Sequence, residues 1–153
     1  MVALDYTCHH PHGLAGSALE SAIRMAGQTC AARGEKLTDS RRRALELVLQ
    51  ADGPIKAYDI MAVFGPAPAK PPTVYRALEF LVRAGLVHRI ESLNAYVPCR
   101  GHGTHTAAFL ICDGCGHVEE QMLPAPPTPH FTPNRWVIEA HGQCAGCRQT
   151  PNA

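Results

Sequence analysis

The 153-residue chain has no apolar run approaching the roughly 18 residues that span a bilayer, which argues against a helical membrane segment. Its opening, MVALDYTCHHPHGLAG, lacks both a basic n-region and a sustained apolar segment, so no secretory signal is expected and the protein is placed in the cytoplasm. Net charge is nearly absent too, at +1, which by itself advertises no nucleic acid. Nor do the cysteines form an even disulfide set. There are seven, four of them in C-x-x-C pairs, a usage that suits a reducing compartment and metal binding. What is plentiful is proline and glycine, 13 of each, which favours short elements in two small domains over one large core. The 46% hydrophobic and 18% charged content is that of an ordinary globular protein.

The densest chemistry lies between Cys99 and Glu120, CRGHGTHTAAFLICDGCGHVEE. Cys112-Asp-Gly-Cys115-Gly116 has the form of a zinc knuckle: two thiolates can grip one ion, and Gly116 can adopt the positive φ that turns backbone N–H groups toward sulfur. A second pair, Cys144 and Cys147, supplies the remaining thiolates of a tetrahedral structural Zn2+ site. The competing readings are a redox dithiol and a pair of disulfides. A redox dithiol should open a helix after a strand, whereas Cys112 ends the strand-like Phe109-Leu-Ile111. The long separation of the pairs means that the second returns from another segment, expected to be a strand ending near His141.

Charge is unevenly distributed. Arg41, Arg42 and Arg43 stand together, and Lys56, Lys70, Arg76, Arg83 and Arg89 follow before Cys99. An arginine run alone is more often a solvated helix face. Residues 1–16 read as a flexible arm whose Cys8-His-His10-Pro-His12 cluster could bind metal adventitiously. Helical periodicity begins at Ser17, with Leu19, Ile23, Ala26 and Cys30 on one face, which makes Cys30 a small core residue. Thr38 is the expected N-cap of a second helix bearing Ala44, Leu45, Val48 and Leu49 inward. A short third helix spans about Ala57 to Phe64. Lys70-Pro-Pro-Thr73 opens a fourth, with Val74, Ala77, Leu78, Leu81 and Val82 inward, Tyr75, Arg76, Glu79 and Arg83 outward, and Gly85 as its C-cap.

After Gly85 the period becomes that of strands, Leu86–Ile90 and Ala95–Val97 around a polar turn. Three helices, an exposed fourth and a trailing hairpin compose a winged helix-turn-helix over residues 17–98, whose recognition helix enters the major groove of double-stranded DNA. Tyr58, Thr73, Tyr75 and Arg76 are the candidate DNA contacts, Arg76 through its planar fork on a guanine edge. Tyr58 reads equally well as a half-buried core tyrosine.

Ala57-Tyr-Asp59, Lys70-Pro-Pro-Thr-Val-Tyr-Arg-Ala-Leu78, Gly85-Leu-Val-His88, Glu91-Ser92, Thr104-His-Thr106, Ile111–Gly116 and Val137-Ile-Glu-Ala-His-Gly142 with Cys144 and Cys147 occur in one order. Together they resemble the ferric uptake regulator superfamily, in its zinc uptake regulator branch, from about Ser17 to Cys147. The resemblance implies an α+β fold: a winged-helix DNA-binding domain followed, over 99–153, by a small α/β dimerisation domain with the structural zinc. It also implies a homodimeric, metal-dependent repressor of zinc uptake genes that is not an enzyme. A second Zn2+ per chain, the sensing ion, is implied at His88, Cys99, His105 and Glu120. One Cys, two His and one carboxylate also make a plausible tetrahedral set by donor type. His102 and Glu119 are the neighbours that compete for two of these places, and strand alternation lets only one glutamate face the site. Zinc there is expected to bring the DNA-binding domains into register with successive major grooves.

Where many relatives have a helix, this chain has Leu123-Pro-Ala-Pro-Pro-Thr-Pro129, which forbids one. Two other functions fit parts of the pattern. An iron or peroxide sensor would share the fold, but the Cys99 thiolate disfavours it. A deaminase-like zinc enzyme would use His117-Val-Glu119 with Cys144 and Cys147, but Gln143 stands where a proline is needed and Cys112 and Cys115 are left idle.

Overall fold

Apolar residues three and four apart decide the architecture of the first unit. The computed structural model describes residues 13–100 and 106–149, and these fall into two separate units. In the first, α1 (Gly16–Ala32) buries Ile23, Ala26 and Cys30. Cys30 is 1% exposed, and burial pushes its thiol up, as an inert core thiol should be. Helix α2 (Asp39–Gln50) buries Ala44, Leu45 and Val48 as expected and Leu47 in addition, while Leu49 is only partly covered. Thr38 does occupy the N-cap position but makes no side-chain capping bond; only its carbonyl serves, accepting from the Arg42 N–H at 2.8 Å.

The two-residue strand β1 (Ile55–Lys56) leads into α3 (Ala57–Ala62). The third helix therefore stops two residues short of the expected Phe64. Helix α4 (Pro71–Arg83) starts on its two prolines and buries Val74, Ala77, Leu78, Phe80 and Leu81. Ala84 caps it, one position before the expected Gly85, which follows at φ +72. Strands β2 (Val87–Ile90) and β3 (Ala95–Pro98) form the wing, antiparallel with His88 opposite Val97, and β1 joins as a third strand in the order β1-β3-β2. The core of this unit fills the space between α1, α2, α4 and the wing. At its start, the Gly13 N–H donates to Asp52 Oδ1 at 3.0 Å and the Leu14 N–H to Leu49 O at 2.7 Å, tying the chain to the C-terminal end of α2.

The second unit contains β4 (Thr106–Cys112), β5 (Val118–Leu123), β6 (Ile138–Gly142) and the five-residue α5 (Ala145–Gln149). Its sheet has the order β5-β4-β6, with β4 antiparallel to β5 and parallel to β6. Among the described residues only Ala108, Phe109, Ile111 and Cys112 are buried apolar positions here, a core too small to hold a sheet unaided. Residues 124–137 form neither helix nor strand, as Pro124, Pro126, Pro127 and Pro129 require. The α+β class with a winged helix-turn-helix is realised. Among the described residues, no helix is long and apolar enough to cross a membrane.

Candidate metal centres and nucleic-acid face

Strand β4 delivers Cys112 at its last residue, and the tight turn that follows brings back Cys115. Gly116, at φ +73, makes that turn: its N–H donates to Cys112 O at 2.9 Å, and the Cys112 N–H donates to His117 O at 2.8 Å. Strand β6 runs parallel to β4, with Gly142 opposite Cys112, so the residues after it arrive beside the knuckle. The Asp113 N–H donates to Gly142 O at 2.8 Å, and Asp113 Oδ1 lies 3.0 Å from His141 Nδ1, fastening the two segments together. The ligand atoms of Cys112, Cys115, Cys144 and Cys147 all fall within 4.8 Å of one another.

This geometry fits a tetrahedral ion. Zn–S bonds of roughly 2.3 Å set neighbouring sulfurs about 3.8 Å apart, and Cys115 Sγ lies 3.8 Å from Cys144 Sγ. The Cys144 N–H donates to Cys112 Sγ at 3.2 Å, and the Cys147 N–H to Cys144 Sγ at 3.4 Å, bonds that favour the thiolate form. The backbone N–H groups of Cys144 and Cys115 accordingly pull the Cys112 thiol down to about 6. A Cβ at Gly114 would lie 3.0 Å from Cys147 Sγ, so that position is kept bare by the sulfur packed over it. Four thiolates leave no place for a reactive water, and with Cys112 and Cys115 in the same cluster as Cys144 and Cys147 the deaminase-like reading loses its basis.

The wing carries a second donor pair. His88 is on β2, and Cys99 follows β3, its N–H donating to Leu86 O at 3.0 Å so that the ladder continues to it. Their ligand atoms lie within 4.8 Å of each other. The His88 Nε2 atom is buried and in no hydrogen bond, although the residue makes other contacts. In the other unit, Glu120 pairs opposite the buried Phe109 and is half-buried, whereas Glu119 pairs opposite the exposed Leu110 and accepts from Gln121 Nε2 at 3.3 Å. Alternation thus separates the two glutamates onto opposite faces. His105, its competitor His102 and the Cys8–His12 cluster lie outside the described residues.

The face formed by α3 and the start of α4 is exposed at Tyr58, Lys70, Thr73, Tyr75 and Arg76. Tyr58 is 78% exposed, which sets aside its reading as a half-buried core residue. The side chains of Lys56, Lys70 and Arg76 make no ion pair or hydrogen bond with any described residue and can therefore meet phosphates or base edges. The arginine triplet is different. Arg41 stacks on the Phe80 ring at 3.5 Å, Arg42 pairs with Glu46 at 3.0 Å, and Arg43 donates to two backbone carbonyls. Arg89 braces the wing through Asn94 and Glu91. The partners of Arg41 and Arg43, the Phe80 ring and the Val63 and Phe64 carbonyls, lie too far along the chain to give a local signal in the sequence.

The ferric uptake regulator family model matches residues 32–125. The zinc uptake regulation protein of Escherichia coli K12 is 43% identical over 137 residues, covering 82% of this chain and 80% of that protein, and the protein of the same name from Shigella flexneri matches equally. Among solved structures, a zinc uptake regulator complexed with zinc and DNA superposes with a TM-score of 0.77 at 38% identity, covering 88% of this chain and 97% of that one. Holo XcZur gives a TM-score of 0.73 at 36% identity, covering 85% and 99%. A thiolate knuckle closed by a second cysteine pair, a winged helix with a bare recognition face and these likenesses converge: the chain belongs to the ferric uptake regulator family, in its zinc uptake regulator branch.

Proposed function

We propose that this protein is a zinc-responsive transcriptional repressor that acts in the cytoplasm, binding double-stranded operator DNA as a homodimer and controlling zinc uptake genes. The observation that carries this reading is the His88–Cys99 pair: a soft sulfur and an imidazole nitrogen, close together on the wing of the unit that holds the recognition helix. A metal pair built into a DNA-reading unit makes DNA binding depend on metal, and one thiolate with imidazole suits Zn2+ better than an oxygen-rich iron site. His105 and Glu120 are proposed to complete this sensing set. The four cysteines are proposed to hold a second, structural zinc, giving two Zn2+ per chain.

Residues 17–98 are proposed as the DNA-binding domain and 99–153 as the dimerisation domain. The exposed apolar side chains of Met122, Leu123, Phe131 and Val137, more than the second unit can cover itself, support a second copy as its partner. Zinc can shift the population toward the DNA-competent arrangement only by binding that arrangement more tightly than the alternatives. The reading is tested by titrating Zn2+, and separately Fe2+, against DNA binding. A response to Fe2+ alone would move the protein to iron sensing.

Arg76→Ala is expected to cost about 1–3 kcal/mol of specific binding, because its exposed fork has no other engagement among the described residues. Binding to a cognate duplex and to its scrambled counterpart distinguishes the roles. Loss mainly on the cognate duplex marks a base contact, and equal loss on both marks a phosphate contact.

A further inference from the structure

The arginine triplet at 41–43 is the strongest sequence feature that DNA binding does not absorb. Arg43 projects from α2 onto the end of α3, where its Nε donates to Phe64 O at 2.8 Å and its Nη2 to Val63 O at 2.9 Å. Glu46, one turn further along α2, holds Nη1 from behind at 3.5 Å. Helix α3 has only six residues, too few to sustain itself, and its last carbonyls lack helical partners. The segment that follows, Val63-Phe-Gly-Pro-Ala-Pro-Ala69, has two prolines without N–H groups and no charged side chain. It is closed by the Ala69 N–H on Met61 O at 3.1 Å and the Val63 N–H on Ile60 O at 3.3 Å. Lys70 comes immediately after, and with it the start of α4.

We propose that Arg43 is a positioning residue for the DNA-reading helix, its guanidinium closing the C-terminal end of α3 and fixing the turn that delivers α4. The role rests on the DNA-binding reading above. Its physical basis is the fit of a planar fork to two successive carbonyls, of the C-cap Val63 and of Phe64, just past the negative end of a helix. A shift of the turn at Phe64 would displace Lys70, Thr73, Tyr75 and Arg76 as a set. Lysine cannot replace it, since a point donor serves one carbonyl well and not two with fixed spacing. Arg41 makes the corresponding brace toward α4 itself, lying over Phe80 and donating to Lys36 O.

The test uses the full-length zinc-loaded protein and its Arg43→Met and Arg43→Lys variants. Without DNA, the Ala69 and Val63 amides should exchange hydrogen about tenfold faster in Arg43→Met, while core amides of α2 keep their wild-type rates. On a duplex selected in vitro against the wild type, Arg43→Met should bind about tenfold more weakly, with little change on the scrambled duplex and an unaltered salt dependence. Arg43→Lys should recover neither. Unchanged exchange at Ala69 would overturn the proposal, and so would rescue by lysine with a salt slope reduced by about one in the methionine variant, the mark of a phosphate contact. A wild type that selects no duplex at all would overturn the regulator reading and this role with it. Selection by the wild type together with wild-type exchange in the variants would overturn the role of Arg43 alone.

Discussion

Cys112→Ser and Cys147→Ser are each expected to release one zinc per chain and to unfold residues 106–149, the largest loss that any single substitution in this protein should cause. The argument is one of scale. This unit buries four apolar positions among its described residues, against nineteen in the other, and stretches 14 residues of irregular chain between β5 and β6. A structural zinc supplies roughly 10–16 kcal/mol of apparent binding free energy in small zinc domains, far more than so small a core can. Serine leaves three thiolates and a poor oxygen donor, so most of that contribution disappears. Zinc content by mass spectrometry, sedimentation and far-UV circular dichroism of each variant form the measurement. A variant that keeps its zinc and its fold would remove the four-cysteine assignment.

The same site sets an acid limit. The folded Cys112 thiol ionises at about 6 against an ordinary value of 9.0, so its contribution is fully present above 9.0 and is lost as pH falls through 6. Bound zinc holds the thiolate further down, because a metal competes with the proton. Zinc content after dialysis is therefore expected to stay level from neutral pH to about 6 and to fall only below it. Loss of zinc while still above that pH would mean that Cys112 does not set the limit and that the Cys115 thiol, raised above its ordinary value in the same cluster, takes its proton first.

The parts of this protein that were legible in the sequence are those whose cause is local. The knuckle was readable because Cys112, Cys115 and Gly116 define their turn within five residues, and α4 because its apolar stripe runs three turns between prolines and Gly85. Strand β1 and helix α5 were not, since two and five residues are too few for a period to emerge. The end of α3 was misplaced for another reason. Val63 and Phe64 continue its apolar pattern, but their carbonyls are taken by Arg43, twenty residues earlier. Arg41, Arg42 and Arg43 likewise looked alike in sequence and proved to have three different partners. The His88–Cys99 pairing depends on strand register across the wing, which no spacing rule supplies; the resemblance to a known family carried that assignment.

Cys99→Ser is expected to leave the four-cysteine zinc, the fold and the assembly as they are and to abolish the zinc-dependent gain in DNA affinity, by about tenfold or more at limiting zinc. Cys99 belongs to neither knuckle pair, and its backbone bond to Leu86 O survives the change because only the side-chain atom differs. What is lost is the soft anionic donor beside His88, replaced by a neutral oxygen that binds Zn2+ weakly. If Cys99 were merely a half-buried thiol at a strand end, the near-isosteric serine would alter stability slightly and leave the metal response intact. Operator binding measured against free Zn2+ for the wild type and the mutant, with bound zinc counted in each, separates the two accounts. A mutant that keeps one zinc per chain but no longer tightens on DNA places Cys99 in the sensing set, whereas an unaltered zinc response removes it.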